Sequence, residues 1–185
     1  MFLMGKKGLA VLQNLIHHGY VQMIDKVVVA HDPNIQKDYY EEIVEVCSKS
    51  NIDFYDRKCN IAIRSPYCIA IAWRWMIPLS DASKLIVFHD SLLPKYRGFA
   101  PLVNMLINFE RKIGVTALYA SEEYDKGDII AQKEIEITYP IRISDAIDSI
   151  IPIYSALACE IFESVQYDKM LIATPQDEAQ SSYSL

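Results

Sequence analysis

The stretch KLIVFHDSLLPKYRG, residues 84–98, decides the fold of this chain. Its first six residues form a short apolar run, which predicts a buried strand that ends at His89. The SLLPKYRG segment that follows predicts an irregular loop carrying a phenol and a guanidinium, Tyr96 and Arg97. Because ligands bind beyond the carboxyl ends of the strands in parallel α/β sheets, His89 and this loop are expected at a ligand site.

Strand and helix patterns alternate on both sides of this stretch, which predicts an α/β fold. We expect a Rossmann-like, mostly parallel sheet with helices on both faces. Strands are predicted at 26–32, 52–56, 68–73, 84–89, 114–120 and 130–138, and helices at 9–18, 38–49, 101–108 and 143–165. The last strand alternates apolar and polar residues, as an exposed antiparallel or edge strand does. In the long helix, Ser144 is expected as the N-cap and Pro152 as a kink or break.

The length and composition favour a single domain over residues 1–185. The chain is 51% hydrophobic and long enough to bury a substantial core. Both ends are expected to be truncated. Only Met1 to Met4 precede the first glycine, and the polar tail QDEAQSSYSL has no capping element, so we expect it to be peripheral or to begin a longer segment.

Charge and cysteine content exclude several classes of protein. Four widely spaced cysteines without a CxxC pair predict neither a zinc site nor a disulfide framework, and favour the cytoplasm. No apolar run reaches the roughly 18 residues of a membrane span. The net charge of −6 works against nucleic-acid binding. The expected partner is a small-molecule substrate, and a homodimer remains open.

Three motifs together resemble the folate-dependent formyltransferase family, and the sugar N-formyltransferases most of all. They are HDSLLPKYRG at 89–98, GVT at 114–116 and DKGDII at 125–130. The resemblance implies the formyltransferase fold and 10-formyltetrahydrofolate as the formyl donor. It also implies that His89 and Asp125 are catalytic, since a carboxylate beside a histidine fixes the tautomer for proton transfer. The alternative is that Asp125 belongs to a plain turn.

The sequence departs from the family pattern two residues before His89. The family has an asparagine there, whereas this chain has Val87, which cannot donate a hydrogen bond to an oxyanion. We predict that Asn104 supplies the amide instead. A protonated His89 with a backbone N–H is a second possibility, and Asn104 as an exposed or capping residue is the structural alternative.

The resemblance also assigns residues to the donor and the acceptor. The expected folate-binding residues are Trp73, Arg74, Trp75, Met76, Ile77, Glu123 and Tyr124. The expected acceptor-binding residues are Lys6, Lys7, Tyr96 and Arg97. Ordinary packing of a tryptophan and solvated lysines are the competing interpretations. No metal is expected.

A nucleotide-linked amino sugar is the acceptor we favour. Methionyl-tRNA enzymes of the family carry an additional β-domain and a basic surface, for which this acidic chain leaves no room. Glycinamide ribonucleotide is the alternative acceptor. A non-catalytic homologue that binds a folate or a sugar nucleotide is the alternative from another class, and Val87 favours it.

Overall fold

A seven-stranded sheet forms the centre of the structure, a computed structural model that describes residues 1–77 and 83–184. Leu185, the last residue of the polar tail, lies outside the described residues. The strands are β1 Phe2–Leu3, β2 Lys26–Val29, β3 Asp53–Asp56, β4 Tyr67–Ile71, β5 Lys84–His89, β6 Arg97–Gly98, β7 Lys112–Tyr119, β8 Ile129–Glu136 and β9 Tyr183–Ser184. The sheet order is β3-β2-β1-β4-β5-β7-β8, while β6 and β9 form a separate two-stranded sheet.

The central sheet is mostly parallel, as the sequence predicted. Strands β1 to β5 pair in parallel, and β7 runs antiparallel to both β5 and β8. The strand order reverses between β1 and β4, because the chain builds outward in both directions from β1. The carboxyl ends of β1, β4 and β5 therefore border the crevice in which such sheets bind ligands.

The described helices pack on one face of this sheet. They are α1 Gly5–His17, α2 Tyr40–Lys49, α3 Pro101–Ile107 and α4 Ile143–Gln166. Each of them contributes side chains to one core, which also contains Leu3, Val29 and Ile86 of the strands. Burial of this shared apolar surface is the main source of stability for the domain.

The opposite face is covered without a described helix, which differs from the expectation of helices on both faces. Phe2, Val28, Cys68 and Ala70 form its buried cluster. Partly buried Ile61, Ile63, Trp73, Ile77, Leu85 and Val87 pack against that cluster. The connection from β3 to β4 must return across two intervening strands, about 5 Å apart, in residues 57–66. Residues 57–66 contain no helix, and Ile61 and Ile63 of this connection pack against the buried cluster.

Helix α4 corrects the predicted N-cap and shows no break at Pro152. Its N-cap is Arg142 rather than Ser144, whose hydroxyl instead contacts the Asp145 carboxylate at 3.1 Å. The helix continues without a break through Pro152 for 24 residues. Buried residues on both sides of the proline, including Ile150 and Ile153, hold the two halves against the core. Packing thus outweighs the lost backbone hydrogen bond.

The two chain ends are integrated into the fold more closely than their sequences indicate. Although β1 has only two residues, it occupies the centre of the sheet, where Phe2 pairs with Val28 on one side and Ala70 on the other. The tail supplies β9, which pairs with β6. The prediction of a peripheral tail was therefore wrong for residues 183–184.

Candidate active site

His89 and Asp125 lie together at the carboxyl end of β5. The Nδ1 atom of His89 is 3.4 Å from Oδ1 of Asp125, and the two side chains are 8% and 15% exposed. The other ring nitrogen, Nε2, contacts the Tyr96 carbonyl oxygen at 2.8 Å. Because a carbonyl only accepts, this contact assigns a hydrogen to Nε2 and turns Nδ1 toward the carboxylate. In this neutral tautomer Nδ1 is the ring atom that can accept a proton.

Unusual backbone conformations position this pair. Tyr96, Gly98 and Asp125 have φ angles of 60°, 95° and 58°, in the left-handed region. In this geometry the Gly98 N–H donates to Oδ2 of Asp125 at 2.9 Å. Gly127, two residues after Asp125, packs directly against the backbone of Tyr119. A Cβ added to Gly127 would lie 1.7 Å from the Tyr119 carbonyl oxygen. The turn therefore requires glycine at this position.

Val87 lies on the same face of β5 as His89, because side chains two residues apart in a strand share a face. It packs against the buried cluster on the face opposite the described helices, together with Trp73 and Ile77. This position consequently presents methyl groups to the site. Asn104, the predicted substitute, uses an amide N–H to bond the Ala100 carbonyl at 3.0 Å within α3. This contact favours Asn104 as a structural residue of α3 over Asn104 as the donor to the oxyanion.

The two predicted folate-binding segments meet. The Tyr124 hydroxyl lies 3.6 Å from the sulfur of Met76, and both residues are largely exposed, at 77% and 79%. Trp73 and Trp75 contact each other edge to face, with ring centroids 5.3 Å apart. Together these side chains form an aromatic and thioether surface beside the end of β4.

Charged neighbours anchor the same segment. Arg74 forms an ion pair with the buried Asp32 at 2.8 Å, and the Arg57 guanidinium lies 4.2 Å from the ring centroid of Trp75. Glu123 pairs with Lys126 at 2.6 Å on the other side of the turn. Ile77 packs against the buried cluster on the face opposite the described helices. Arg74 therefore ties its loop to the buried Asp32, while the two tryptophan rings, inclined at 74°, offer the edge of one ring and the face of the other.

The predicted acceptor-binding residues are already engaged. Lys7 is paired with Asp90, the residue after His89, and Lys6 pairs with Asp148 at 2.5 Å on the surface. A phosphate at Lys7 would be repelled by the Asp90 carboxylate. Of these two ion pairs, the exposed one between Lys6 and Asp148 is therefore the pair that a phosphate would replace more easily. The Tyr96 hydroxyl donates to Glu110 at 2.7 Å, and burial together with this bond raises its pKa.

Arg97 requires a correction. Its side chain is completely buried, and it bonds Gln176 and Glu178 of the C-terminal segment rather than facing open space. An acceptor cannot reach it in this structure. The Glu178 contact raises the pKa of Arg97 and lowers that of Glu178.

Two groups near His89 were missed by the sequence reasoning. Asp90 accepts a hydrogen bond from Tyr154 of α4 at 2.5 Å, and burial followed by the nearby Asp90 carboxylate raises the pKa of this tyrosine well above its usual value. Gln176 contacts the Asp125 loop. For Asp90, the only available signal in the sequence was its position directly after His89. For Gln176, nothing in the polar tail distinguished it from its neighbours.

Residues 78–148 match the family described as formyl transferase. This segment of the chain is therefore similar to the formyl transferases. A methionyl-tRNA formyltransferase from Lysinibacillus sphaericus is 33% identical over 128 residues, which are 67% of this chain and 41% of that protein. The chain thus spans between three tenths and two fifths of the length of the curated relatives that it matches. The family segment contains both His89 and Asp125.

Solved structures share the formyl transferase fold. An N-formyltransferase from Helicobacter canadensis, in complex with folinic acid and dTDP-3-aminofucose, superposes with a TM-score of 0.78 at 16% identity and covers 99% of this chain and 68% of its own. Glycinamide ribonucleotide transformylase 1 from Symbiobacterium toebii gives 0.72 at 14% identity, covering 95% and 92%. Within residues 1–77 and 83–184, no His, Cys, Asp and Glu cluster could hold a metal ion, and no helix is long and apolar enough to cross a membrane.

Proposed function

We propose that this protein transfers the formyl group of 10-formyltetrahydrofolate to the amine of a nucleotide-linked amino sugar. The contact between His89 and Asp125 is the observation that carries this proposal. It brings together the two residues that the motifs single out, one at the end of β5 and one in the turn before β8, at the ligand edge of the sheet. Both are mostly buried, which strengthens electrostatic interactions in a reaction site.

The proposed reaction needs proton transfer and oxyanion stabilisation. As the amine nitrogen adds to the formyl carbon, the Nδ1 edge of His89 and the Asp125 carboxylate take up the amine proton. The same pair returns a proton to the folate nitrogen when its bond to the formyl carbon breaks. The Tyr96 carbonyl fixes the ring orientation throughout, because it holds Nε2 at 2.8 Å. Positioned groups of this kind contribute about 10²–10⁴ in rate.

The surface beside β4 fits a flat heteroaromatic donor. Trp73, Trp75, Met76 and Tyr124 present rings and a thioether on two facing loops. Within the part of the chain that the structure describes, the buried Nε1–H of Trp73 has no hydrogen-bond acceptor. A pterin carbonyl or ring nitrogen would satisfy such a donor, since an unpaired buried N–H is costly. These features support a folate as the formyl donor.

Charge and fold both support a nucleotide-linked amino sugar as the acceptor. A net charge of −6 is unfavourable for a tRNA, whose binding depends on neutralised phosphates. The likeness to an enzyme solved with dTDP-3-aminofucose supports an amino sugar carried on a nucleotide. Of the two amino-terminal lysines, Lys6 is the one whose exposed ion pair could exchange for a phosphate.

Glycinamide ribonucleotide is the second candidate acceptor. The observation that favours it is the transformylase from Symbiobacterium toebii, of which this fold covers 92%. The same His89 and Asp125 chemistry would serve either amine, so the active site alone does not distinguish these substrates.

Acceptor turnover tests the proposal. The purified protein and 10-formyltetrahydrofolate are mixed with a dTDP-linked amino sugar, glycinamide ribonucleotide or methionyl-tRNA, and released tetrahydrofolate is followed by absorbance. We expect turnover of the amino sugar. His89→Gln should abolish it, whereas His18→Gln, a change at the exposed C-cap histidine of α1, should not. Turnover of glycinamide ribonucleotide alone would establish the second candidate, and no turnover of any amine would refute formyl transfer.

A further inference from the structure

The C-terminal segment from Thr174 to Ser184 lies across both loops of the candidate site. Thr174 exchanges two backbone hydrogen bonds of 2.8 Å with Ile129, just after the Asp125 turn. Ser182 accepts from the Arg97 N–H at 2.9 Å and donates its own N–H to the Pro94 carbonyl at 3.2 Å. One short segment therefore touches the loop that carries Asp125 and the loop that holds His89.

Gln176 makes the connection between those loops through its side chain. Its Nε2 donates to the carbonyls of Asp125 at 2.7 Å and Gly127 at 2.8 Å. Its Oε1 accepts from Nε and Nη2 of Arg97, at 3.1 and 2.7 Å. A primary amide has two N–H donors and one oxygen with two lone pairs, so Gln176 is fully satisfied here.

Arg97 transmits this anchor to His89. Its backbone lies between Tyr96, whose carbonyl contacts His89, and Gly98, whose N–H contacts Asp125. The Arg97 side chain is completely buried. Besides Gln176, it donates to both carboxylate oxygens of Glu178, at 2.8 and 2.9 Å. A buried guanidinium requires such partners, because an uncompensated buried charge is strongly destabilising.

Asp125 depends on this support because of its backbone. Its φ of 58° is in the left-handed region, which costs about 1–3 kcal/mol for a residue with a side chain and persists only where neighbouring contacts impose it. Gln176 supplies such a contact at the Asp125 carbonyl itself. Without it, the Asp125 backbone loses a contact that fixes its conformation, and the carboxylate is held beside His89 by the Gly98 N–H.

We propose that Gln176 is a positioning residue, which sets the distance between His89 and Asp125 by holding both loops at once. This inference rests on the proposed formyl transfer for its kinetic consequence, but its structural consequence is independent of activity. Gln176 touches neither the reacting groups nor the predicted folate surface. Its effect is carried by the Asp125 carbonyl on one side and the Arg97 side chain on the other.

Three variants test the positioning role. Gln176→Met keeps the length of the side chain and removes all its hydrogen bonds. Gln176→Glu keeps an acceptor for Arg97 and loses only the donors to Asp125 and Gly127. Gln180→Met is the matched control, because Gln180 lies in the same segment and, in the part of the chain that the structure describes, its side chain bonds only the exposed Asp177.

Two readouts are measured on each protein. Turnover gives kcat and KM, and the ring-nitrogen NMR signals of ¹⁵N-histidine-labelled protein report the environment of His89. We expect both Gln176 variants to lose about 10- to 100-fold in kcat, as a 1 Å misplacement does, with KM changed less than about threefold. The His89 signals should move in both, and Gln180→Met should match the wild type.

Each outcome decides the inference. Unchanged His89 signals in folded Gln176 variants would overturn it, whatever the rates. If the wild type transfers formyl to no amine, the proposed function fails while the NMR comparison still decides the positioning. Loss of the fold in both Gln176 variants, with an intact Gln180→Met, would also overturn it and make Gln176 a purely structural residue.

Discussion

Val87→Asn should raise the rate of formyl transfer. The residue lies two positions before His89 on β5, pairs with Ala70 and Leu118, and faces the site with His89. In the proposed reaction, an amide at this position would lie on the same face of β5 as His89 and donate to the formyl oxygen as it gains charge. The substitution therefore restores a donor that the family has and this chain lacks.

The magnitude follows from two opposing effects. One oxyanion donor contributes about 10²–10³ in kcat, or roughly 3–4 kcal/mol of transition-state stabilisation. Against this, the new amide enters an apolar cluster with Trp73 and Ile77, and a poorly paired buried polar group costs about 1–3 kcal/mol of stability. For a domain of this size each kcal/mol lowers Tm by roughly 2–4 °C. We expect a less stable but faster enzyme.

The assay compares kcat at saturating donor and acceptor with Tm measured by circular dichroism. Val87→Leu is the matched control, because leucine has the shape of asparagine without its N–H groups. It should perturb the packing but leave kcat at or below the wild-type value. A folded Val87→Asn protein that is no faster than wild type would refute the reasoning, and would place the oxyanion donor elsewhere in the chain.

Three further outcomes are expected. Asp125→Asn should keep the contact with the Gly98 N–H but reduce kcat by about 10²–10⁴, while the exposed Asp128→Asn should not; equal rates would remove Asp125 from the mechanism. Asn104→Ala should change kcat less than about threefold, because its amide is bound inside α3, and a loss of a hundredfold would reinstate it as the oxyanion donor. Burial raises the pKa of Cys47 from 9.0 to about 11. Its contribution to stability is thus complete below pH 9 and is lost as the pH rises toward 11. The difference in unfolding free energy between wild type and Cys47→Ala should shrink by about 2–3 kcal/mol over that range, and a constant difference in urea titrations would contradict this assignment.

Long, strongly patterned segments were predictable from the sequence. Strand β5 was found with its observed bounds, and α2 and α3 within two residues, because their apolar spacing reflects burial on the single helical face. The motif residues His89 and Asp125 were also brought together as predicted from the resemblance.

Features that depend on tertiary contacts were not predictable. A two-residue strand such as β1 has no periodicity, and only its pairing on both sides makes it a strand. The burial of Arg97 depends on Gln176 and Glu178, about eighty residues away, so its charge alone favoured an exposed role. The lack of a second layer of helices among residues 1–77 and 83–184 likewise depends on the path of residues 57–66 and not on any local pattern.

Trp73 and Ile77 cover the sheet face opposite the described helices, and they also border the proposed donor surface. Folding and donor binding are then thermodynamically linked, and a donor at a hundred times its dissociation constant would add about 2.7 kcal/mol to the stability of the native state. A change of donor specificity at this surface would accordingly have to preserve the closure of the protein interior as well.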